Sequence, residues 1–250
     1  MNKRLVFAAG ALAFGLSAPA GAADMAARPY TKAPPAAVAT VYDWSGFYIG
    51  ANGGWGSSRN SWDSVAPFAV GPEGSHDATG AVAGGQVGYR WQTGTWVFGL
   101  EAQGDWADLR GSNLSTLFGP GFRNDSRINA FGLFTGQVGW ATNNVLFYVK
   151  GGAAVTDNRN RIYSTATGAQ LASTGDDTRW GGTVGVGLEY GFAPGWSAGV
   201  EYDHLFMQDR TLNFTTPAGV AFGADRIRQD VDLVTVRLNY KFGGAFGGRY

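Results

Sequence analysis

Eight stretches of the chain alternate apolar residues with small or polar ones at a period of two, as β-strands with two unlike faces do. The pattern predicts strands over 44–56, 79–91, 95–106, 130–142, 145–156, 179–192, 196–207 and 229–242. The gaps between them alternate between two or three residues and more than twenty residues. Ordinary loops have about 4–6 residues, so this alternation favours antiparallel strands joined by tight turns at one end of a barrel and by long loops at the other.

The residues in the gaps agree with this division. Gln92-Thr93-Gly94, Asn143-Asn144 and Ala193-Pro194-Gly195 contain the Gly, Asn and Pro that suit hairpin turns. The long gaps are rich in Gly, Ser, Thr, Asn, Asp and Arg, and we expect them to be exposed outer loops. They cover 57–78, 107–129, 157–178 and 208–228.

Each predicted strand separates an apolar face from a face of charged and small residues. In 95–106, Trp96, Phe98 and Leu100 share one face, whereas Glu101 and Asp105 share the other. The charged face is also rich in glycine, which suits a crowded lumen. A soluble lipocalin-like barrel, the alternative, would have to pack the aromatic face into that lumen. The chain is therefore predicted to be an all-β, eight-stranded antiparallel transmembrane β-barrel with short periplasmic turns and four long outer loops.

The amino terminus has the features of a secretory signal peptide. Lys3 and Arg4 precede an apolar stretch over 5–16, and small residues lead to Ala23, after which cleavage is expected. The apolar run is too short for a membrane anchor. The predicted organisation is a signal peptide over 1–23, a Pro/Ala-rich periplasmic linker over 24–43, the barrel over 44–242 and a Gly-rich C-terminal tail over 243–250. The predicted location is the cell outer membrane.

Composition removes several classes of function. The chain has no Cys and equal numbers of basic and acidic residues, 19 of each. The lack of cysteine excludes disulfides, thiolate nucleophiles and cysteine metal sites. A net charge of zero leaves no electrostatic footprint for nucleic acid, so no nucleic-acid partner is expected.

Charged residues of both signs are predicted on the inner face of the barrel. Unpaired charges in a narrow lumen carry a large desolvation cost, so we expect a salt-bridged plug. A constriction that selects solutes is the alternative reading of the same residues. The predicted lumen charge network is Glu101, Asp105, Lys150, Glu189, Glu201, Asp203, Arg237 and Lys241.

Short motifs in a fixed order carry a family resemblance. They are D-W-S-G-F-Y-I-G from Asp43, G-Q-V-G-Y from Gly85, V-F-G-L-E from Val97, G-L-E-Y from Gly187, V-E-Y from Val200 and V-R-L-N-Y-K-F from Val236. In this order they resemble the small outer-membrane β-barrel family of rhizobial and related Gram-negative bacteria, the porin-like or opacity-type surface proteins. The resemblance covers nearly the whole mature chain.

The resemblance implies that outer-membrane lipid, lipopolysaccharide and the barrel-assembly machinery are partners. That machinery recognises a last strand with an aromatic end, and Tyr240 and Phe242 fit this assembly signal. Two features depart from the family pattern. Arg237 stands where a Gly is often found, and the tail carries the chain past Phe242. Either the assembly machinery tolerates this tail, or Phe246 or Tyr250 contributes to the signal.

The two histidines give little support for chemistry. His204 follows Asp203 but has the phase of Tyr202, so it is expected to face lipid or the rim, and no catalytic residue is predicted. His76 is expected to be a solvated loop residue, and no cofactor or metal is predicted. Haem or metal binding at His76, which the resemblance suggests, is the alternative.

Two functions from different classes remain open. The first is a non-enzymatic envelope protein with a structural role, or with an interaction role in which the outer loops bind host, phage, lipopolysaccharide or a small-molecule ligand. The second is a narrow porin that passes small solutes. A haem-binding surface protein is a third and weaker reading.

Overall fold

The computed structural model describes residues 42–66 and 69–242, and this part of the chain is built from nine β-strands. They are β1 (Gly46–Ala66), β2 (Gly71–Thr93), β3 (Trp96–Leu114), β4 (Phe122–Thr142), β5 (Val145–Ser164), β6 (Gln170–Ala193), β7 (Trp196–Met207), β8 (Arg210–Thr215) and β9 (Ala221–Lys241). In these residues no helix is both long and apolar enough to cross a bilayer. The predicted signal peptide, most of the predicted linker and the predicted tail lie outside the described residues, so their boundaries stay predictions.

The strands form one antiparallel sheet that closes on itself. Each strand from β1 to β6 pairs with the next, β7 pairs with β9, and β9 returns to β1. The closing seam runs from Tyr48 opposite Lys241 to Ser64 opposite Asp225. The short β8 pairs with β9 in the fourth outer connection. The predicted ring of eight antiparallel strands is therefore confirmed as β1–β7 and β9.

The three tight turns lie where the sequence predicts them. Asn143 has a φ of 50°, Gly94 of 61° and Gly195 of 77°. This left-handed conformation is accessible to glycine and tolerated by asparagine. These residues therefore let successive strands reverse direction within a few residues.

Side chains alternate between the two surfaces of the closed sheet. On β3, Trp96 and Leu100 are 54% and 60% exposed, whereas Glu101 and Asp105 are 5% and 4% exposed. On β9, Val236 is exposed and Arg237 is buried. The apolar residues thus cover the outer surface, and the charged residues face the lumen.

Exposed aromatic side chains form two belts around the barrel. The lower belt lies near the tight turns and comprises Phe47, Trp91, Trp96, Trp140, Tyr190, Phe192, Trp196, Tyr240 and Phe242. The upper belt comprises Trp55, Trp106, Trp180 and Phe206. Between Trp96 and Trp106, ten residues at ~3.3 Å each and a strand tilt of ~40° give a height of ~25 Å, which matches the apolar band of outer-membrane barrels. The membrane-spanning part of each strand therefore lies between the belts.

The four predicted outer loops differ from the structure, because most of their described residues are strand. Only 69–70, 115–121, 165–169, 208–209 and 216–220 lie outside strands in these segments. We call the described parts of 57–78, 107–129, 157–178 and 208–228 the outer extension. Its strands keep pairing above the membrane because they bury a core of their own, with Trp62, Ile162, Phe214 and Ile227 inside. Their outward residues face water and are polar, which made these segments read as loops.

The lipid-facing surface gives a first prediction. Leu100→Arg places a charge on the lipid face between the belts, which costs about 2–4 kcal/mol near the bilayer midplane. Ser75→Arg, at an exposed position of the outer extension, is the matched control and should change stability by less than about 0.5 kcal/mol. Urea unfolding of the protein in lipid vesicles, followed by tryptophan fluorescence, measures both. Equal effects of the two substitutions would contradict the assigned membrane boundary.

Candidate functional site

Three apolar clusters occupy the lumen at different heights. The periplasmic cluster includes Leu146, the central cluster includes Leu133 and Leu233, and the outer cluster includes Trp62 and Phe214. The charged residues lie between the first two clusters, as the order of residues along each strand shows. On β5, for example, the inward residues run from the periplasmic Leu146 through Lys150 to the central Ala154.

Arg237 contacts two buried carboxylates on opposite sides of the lumen. Its Nη2 lies 2.5 Å from Glu101 Oε2 on β3, and its Nη1 bonds to Glu201 on β7. Each carboxylate also accepts a hydrogen bond from a tyrosine: Tyr48 OH donates to Glu101 at 2.7 Å, and Tyr148 OH donates to Glu201 at 2.6 Å. One guanidinium therefore ties together strands that are far apart around the ring.

Lys150 reaches the same carboxylates from β5. Its Nζ lies 2.6 Å from Glu201 Oε1, 3.3 Å from Asp203 Oδ1 and 3.5 Å from Glu101 Oε1. The side chains of Lys150 and its partners are at most 1% exposed. We call this group the inner charge cluster: Glu101, Lys150, Glu201, Asp203 and Arg237.

A second ion pair lies beside the cluster, and the sequence reading missed half of it. Arg90 Nη2 lies 2.8 Å from Glu189 Oε2, and the Arg90 guanidinium sits 4.5 Å from the centre of the Tyr48 ring. Asn239 donates to the other Glu189 oxygen at 2.9 Å. The sequence did indicate that Arg90 faces the lumen, because it has the same phase on β2 as the inward Gln86. Arg90 was overlooked because it lies next to a turn and near the aromatic belt.

Besides Glu189, two further members of the predicted network lie outside the inner charge cluster. Asp105 Oδ2 accepts a hydrogen bond from Gln103 at 2.8 Å, and no described cation lies within 4.0 Å of it. Lys241 pairs with Asp43 at 3.2 Å near the periplasmic rim, where the Asp43 side chain is 59% exposed. The strand phase put both residues on the inner face, but phase alone carries no information about height or about the far wall.

Glycines make room for the tyrosines and carboxylates. A Cβ on Gly187 would lie 2.2 Å from the Tyr148 ring, and one on Gly88 would lie 2.5 Å from the Tyr48 ring. A Cβ on Gly185 would lie 2.2 Å from Asp203 Oδ1. Real Cβ atoms do not approach other atoms so closely, so these three inward positions require glycine.

The space left beside the Arg90–Glu189 ion pair is very small. The cavity lined by Arg90, Glu189 and Tyr48 has a volume of about 10 Å³. A cavity of that size holds about one water molecule.

The structure corrects the expectation for His76, which is not a solvated loop residue. It lies on β2 and is 9% exposed, with Nδ1 2.8 Å from Asn113 Oδ1. Asn113 uses its amide nitrogen to donate to the Glu73 carbonyl at 2.9 Å, so its oxygen is the acceptor and His76 Nδ1 carries the proton. Burial lowers the pKa of His76 below its ordinary value, which keeps the ring neutral.

His204 lies on the outer surface near the upper belt, as its phase predicts. Its Nδ1 is 2.7 Å from Asp232 Oδ1, and Tyr202 OH donates to the same oxygen at 2.6 Å. The Phe206 ring lies 4.4 Å from the imidazole. These contacts hold the imidazole ring in place on the outer surface.

The outer extension contains a cavity of about 560 Å³ at its top. We call it the outer cavity. Its wall residues are Ser64, Glu73, Phe118, Gly121, Phe122, Ile162, Ser164, Leu171, Phe214, Phe222, Gly223 and Asp225. Most of this wall is apolar, and much of it comes from segments that were predicted to be loops.

Two acidic side chains face each other in the wall of the outer cavity. Glu73 is 3% exposed and Asp225 is 5% exposed, and their carboxyl groups are within hydrogen-bonding reach. Asn124 donates to Glu73 Oε2 at 2.8 Å, and Ser64 bonds to Asp225. Burial and the neighbouring Glu73 raise the pKa of Asp225 to about 7. Sequence reasoning could not find this pair, because its members are 152 residues apart in segments read as loops.

Comparison with known proteins identifies relatives along most of the chain. A family model described as an outer membrane protein beta-barrel domain matches residues 8–242. The 31 kDa outer-membrane immunogenic protein of Brucella melitensis biotype 1 is 30% identical over 222 residues, which is 84% of this chain and 89% of that protein. A protein of the same description from Brucella suis biovar 1 matches equally well.

Solved structures share the fold at low identity. The outer membrane protease OmpT from Escherichia coli superposes with a TM-score of 0.54 at 8% identity, covering 79% of this chain and 97% of that one. The outer membrane protein OprG from Pseudomonas aeruginosa has a TM-score of 0.50 at 16% identity, covering 80% and 97%. At these identities the likeness concerns the fold alone.

The inner charge cluster gives a second prediction. Arg237→Ala should lower the free energy of unfolding by about 3–5 kcal/mol, because it leaves two buried carboxylates without their main partner. Lys241→Ala is the matched control on the same strand. Its ion pair is at the rim and should contribute at most about 1 kcal/mol. Urea unfolding in lipid vesicles measures the loss of stability for both variants. An equal loss for Lys241→Ala and Arg237→Ala would contradict the stronger contribution of the buried ion pairs.

The acidic pair gives a third prediction. A carboxyl whose pKa is higher in the folded than in the unfolded state destabilises the fold once pH exceeds the unfolded value. The penalty from Asp225 is therefore absent near pH 4 and complete above pH 7. Asp225→Asn should raise the free energy of unfolding by about 1–3 kcal/mol at pH 8 and leave it nearly unchanged at pH 4. Urea titrations at the two pH values test this. A gain in the free energy of unfolding at pH 4 but not at pH 8 would mean that folding lowers the pKa of Asp225 instead of raising it.

Proposed function

The chain belongs to the outer-membrane β-barrel protein family and resides in the outer membrane, and we propose that it is a non-conducting, non-enzymatic surface barrel. In this proposal it supports the envelope as a rigid membrane element, and its outer extension presents a surface to partners. Lipid contacts the apolar band, and lipopolysaccharide contacts the barrel at the upper belt.

The observation that carries the proposal is the packing of the lumen around Arg237. Its ion pair with Glu101 on β3 crosses the lumen, its ion pair with Glu201 joins the neighbouring strand β7, and Lys150 lies beside both carboxylates. An eight-stranded barrel leaves an interior just wide enough for side chains. Moving these residues aside would break several buried ion pairs at once, which opposes opening by thermal motion.

The outer extension supports the interaction role. Its outward face carries exposed charges of both signs, such as Arg59 and Asp77, Arg159 and Asp176. A paired sheet holds these charges in fixed positions, whereas a mobile loop would not. The Brucella relative is described as an outer-membrane immunogenic protein, and a surface role for this chain agrees with that description.

Assembly into the membrane is proposed to use the end of β9. The Tyr240 and Phe242 rings lie 5.2 Å apart on the lipid-facing side, and Phe242 also packs 5.7 Å from Phe47. They present an aromatic edge at the seam where the barrel closes. We infer that the barrel-assembly machinery reads this edge.

Conductance gives a fourth prediction. Purified wild-type protein in planar bilayers should show no stable channel, and Arg237→Ala should also stay near zero because Lys150 and the two tyrosines still fill the lumen. A general porin reconstituted in parallel is the positive control, and heat-dependent gel migration confirms folding of each sample. Large, stable single-channel conductance of the wild type would favour the narrow porin instead.

A further inference from the structure

The outer cavity combines an apolar wall with an unneutralised pair of acids. Phe118, Phe122 and Phe214 provide aromatic surface, and Ile162 and Leu171 provide aliphatic surface. Its volume of about 560 Å³ is within the range of small-molecule sites, about 300–1,000 Å³. Phe118 is 37% exposed and Gly121 is exposed, so the cavity is reached from the outer side.

The acids in this cavity differ from every carboxylate of the inner charge cluster. No described Arg, Lys or His lies within 4.0 Å of Glu73 or Asp225. The neighbouring arginines of β9 point outward: Arg226 pairs with Asp209, and Arg228 pairs with Asp63. The polar groups that face the acidic pair are Ser64 of β1 and Asn124 of β4, and both are uncharged. Within the described part of the chain, the pair therefore has no cationic partner.

From this arrangement we propose that the outer cavity binds a small hydrophobic organic cation, with its apolar body against the phenylalanines and its protonated nitrogen between Glu73 and Asp225. A buried carboxylate gains most from a donor that is itself charged. Aromatic faces add a favourable interaction with the same cation. An anion would meet like charge, and a neutral ligand would leave the acids as they are.

A metal ion fits the cavity less well than an organic cation. Calcium takes six to eight oxygen ligands, and magnesium requires near-octahedral oxygen geometry. Glu73 and Asp225 offer carboxylates from two residues only, and the rest of the wall is mainly carbon. In the described residues no cluster of three or more His, Cys, Asp or Glu is arranged to hold a metal.

The inference rests on the proposed surface role, since a ligand reaches the cavity from outside. It does not depend on whether the lumen conducts. A binding measurement and a conductance measurement can therefore fail independently, and the two failures are distinguishable.

The test uses three probes that share one apolar body: 1-naphthylmethylamine, 1-naphthalenemethanol and 1-naphthoate. Equilibrium dialysis against the full protein in lipid nanodiscs, with empty nanodiscs subtracted, gives the dissociation constants. At pH 8 the amine should bind at least about tenfold more tightly than the alcohol, because it makes charge-assisted hydrogen bonds. The naphthoate should bind more weakly than either. Calcium chloride at millimolar concentration should not displace the amine.

Variants locate the site. The double variant Glu73→Gln with Asp225→Asn should bring the amine and the alcohol to within about twofold of each other. Asp77→Asn removes an exposed carboxylate of the same strand β2 and should leave the preference unchanged. Ser164→Phe places a bulky ring in the cavity wall and should weaken binding of both probes. Gel migration and urea unfolding confirm that each variant is folded.

The pH dependence supplies a further readout. The pKa of Asp225 lies near 7 in the empty cavity, so the pair loses negative charge as pH falls to 5, and the preference for the amine should shrink. Four results would each overturn the proposal. They are equal binding of amine and alcohol, tighter binding of naphthoate, a preference that survives the double variant, or no saturable binding by any probe.

Discussion

The closure of the sheet between β1 and β9 is the constraint on which the rest of the structure depends. Hydrocarbon offers no partner for a backbone N–H or C=O, so a sheet in the membrane has to pair every strand on both sides. The seam from Tyr48 opposite Lys241 to Ser64 opposite Asp225 satisfies that requirement. Once eight strands close, the lumen width is fixed, and every second residue of each strand is committed to it. The inner residues must then fit one another across a space only a few side chains wide.

Closure also explains why charges and glycines share the inner surface. A charge that faces lipid is costly, and a charge that faces a narrow lumen is tolerated when a partner on the far wall reaches it. Arg237 meets Glu101 in this way. Arg237 also pairs with Glu201 of the neighbouring strand β7, and Lys150 and Tyr148 complete the partners of that carboxylate. Tyr148 fits only because Gly187 has no Cβ. Such buried pairs are weak evidence for stability, but they favour one arrangement of the lumen over others.

The sequence predicts the part of the barrel that contacts lipid better than the part above the membrane. Between the belts, one face must be apolar, so residues such as Leu100 and Glu101 alternate clearly, and the strands, faces and turns could be predicted. Above the upper belt, polar residues are accepted on the solvent face as well as on the lumen face. The alternation of apolar and polar residues is therefore weaker there, and these strands were predicted to be loops. For that reason the sequence did not predict that His76 and Glu73 are buried. The pairing of Glu189 with Arg90 could not be predicted, because the pattern of one strand does not show which residues lie opposite it across the lumen.

The buried acidic residues of the inner charge cluster have cationic partners, whereas those of the outer cavity have none among the described residues. This difference distinguishes a structural role from a binding role. Nearer the periplasm, Glu201 has cations and a tyrosine within hydrogen-bonding distance, and the cavity beside the neighbouring Arg90–Glu189 pair holds about one water. In the outer extension, Glu73 and Asp225 have amide and hydroxyl partners, and a cavity of about 560 Å³ lies beside them. If the outer acids served only to hold the fold, an arginine from the opposite wall would be the simplest partner, as Arg237 is below. Their unneutralised charge beside apolar space is instead the arrangement that a cationic ligand completes.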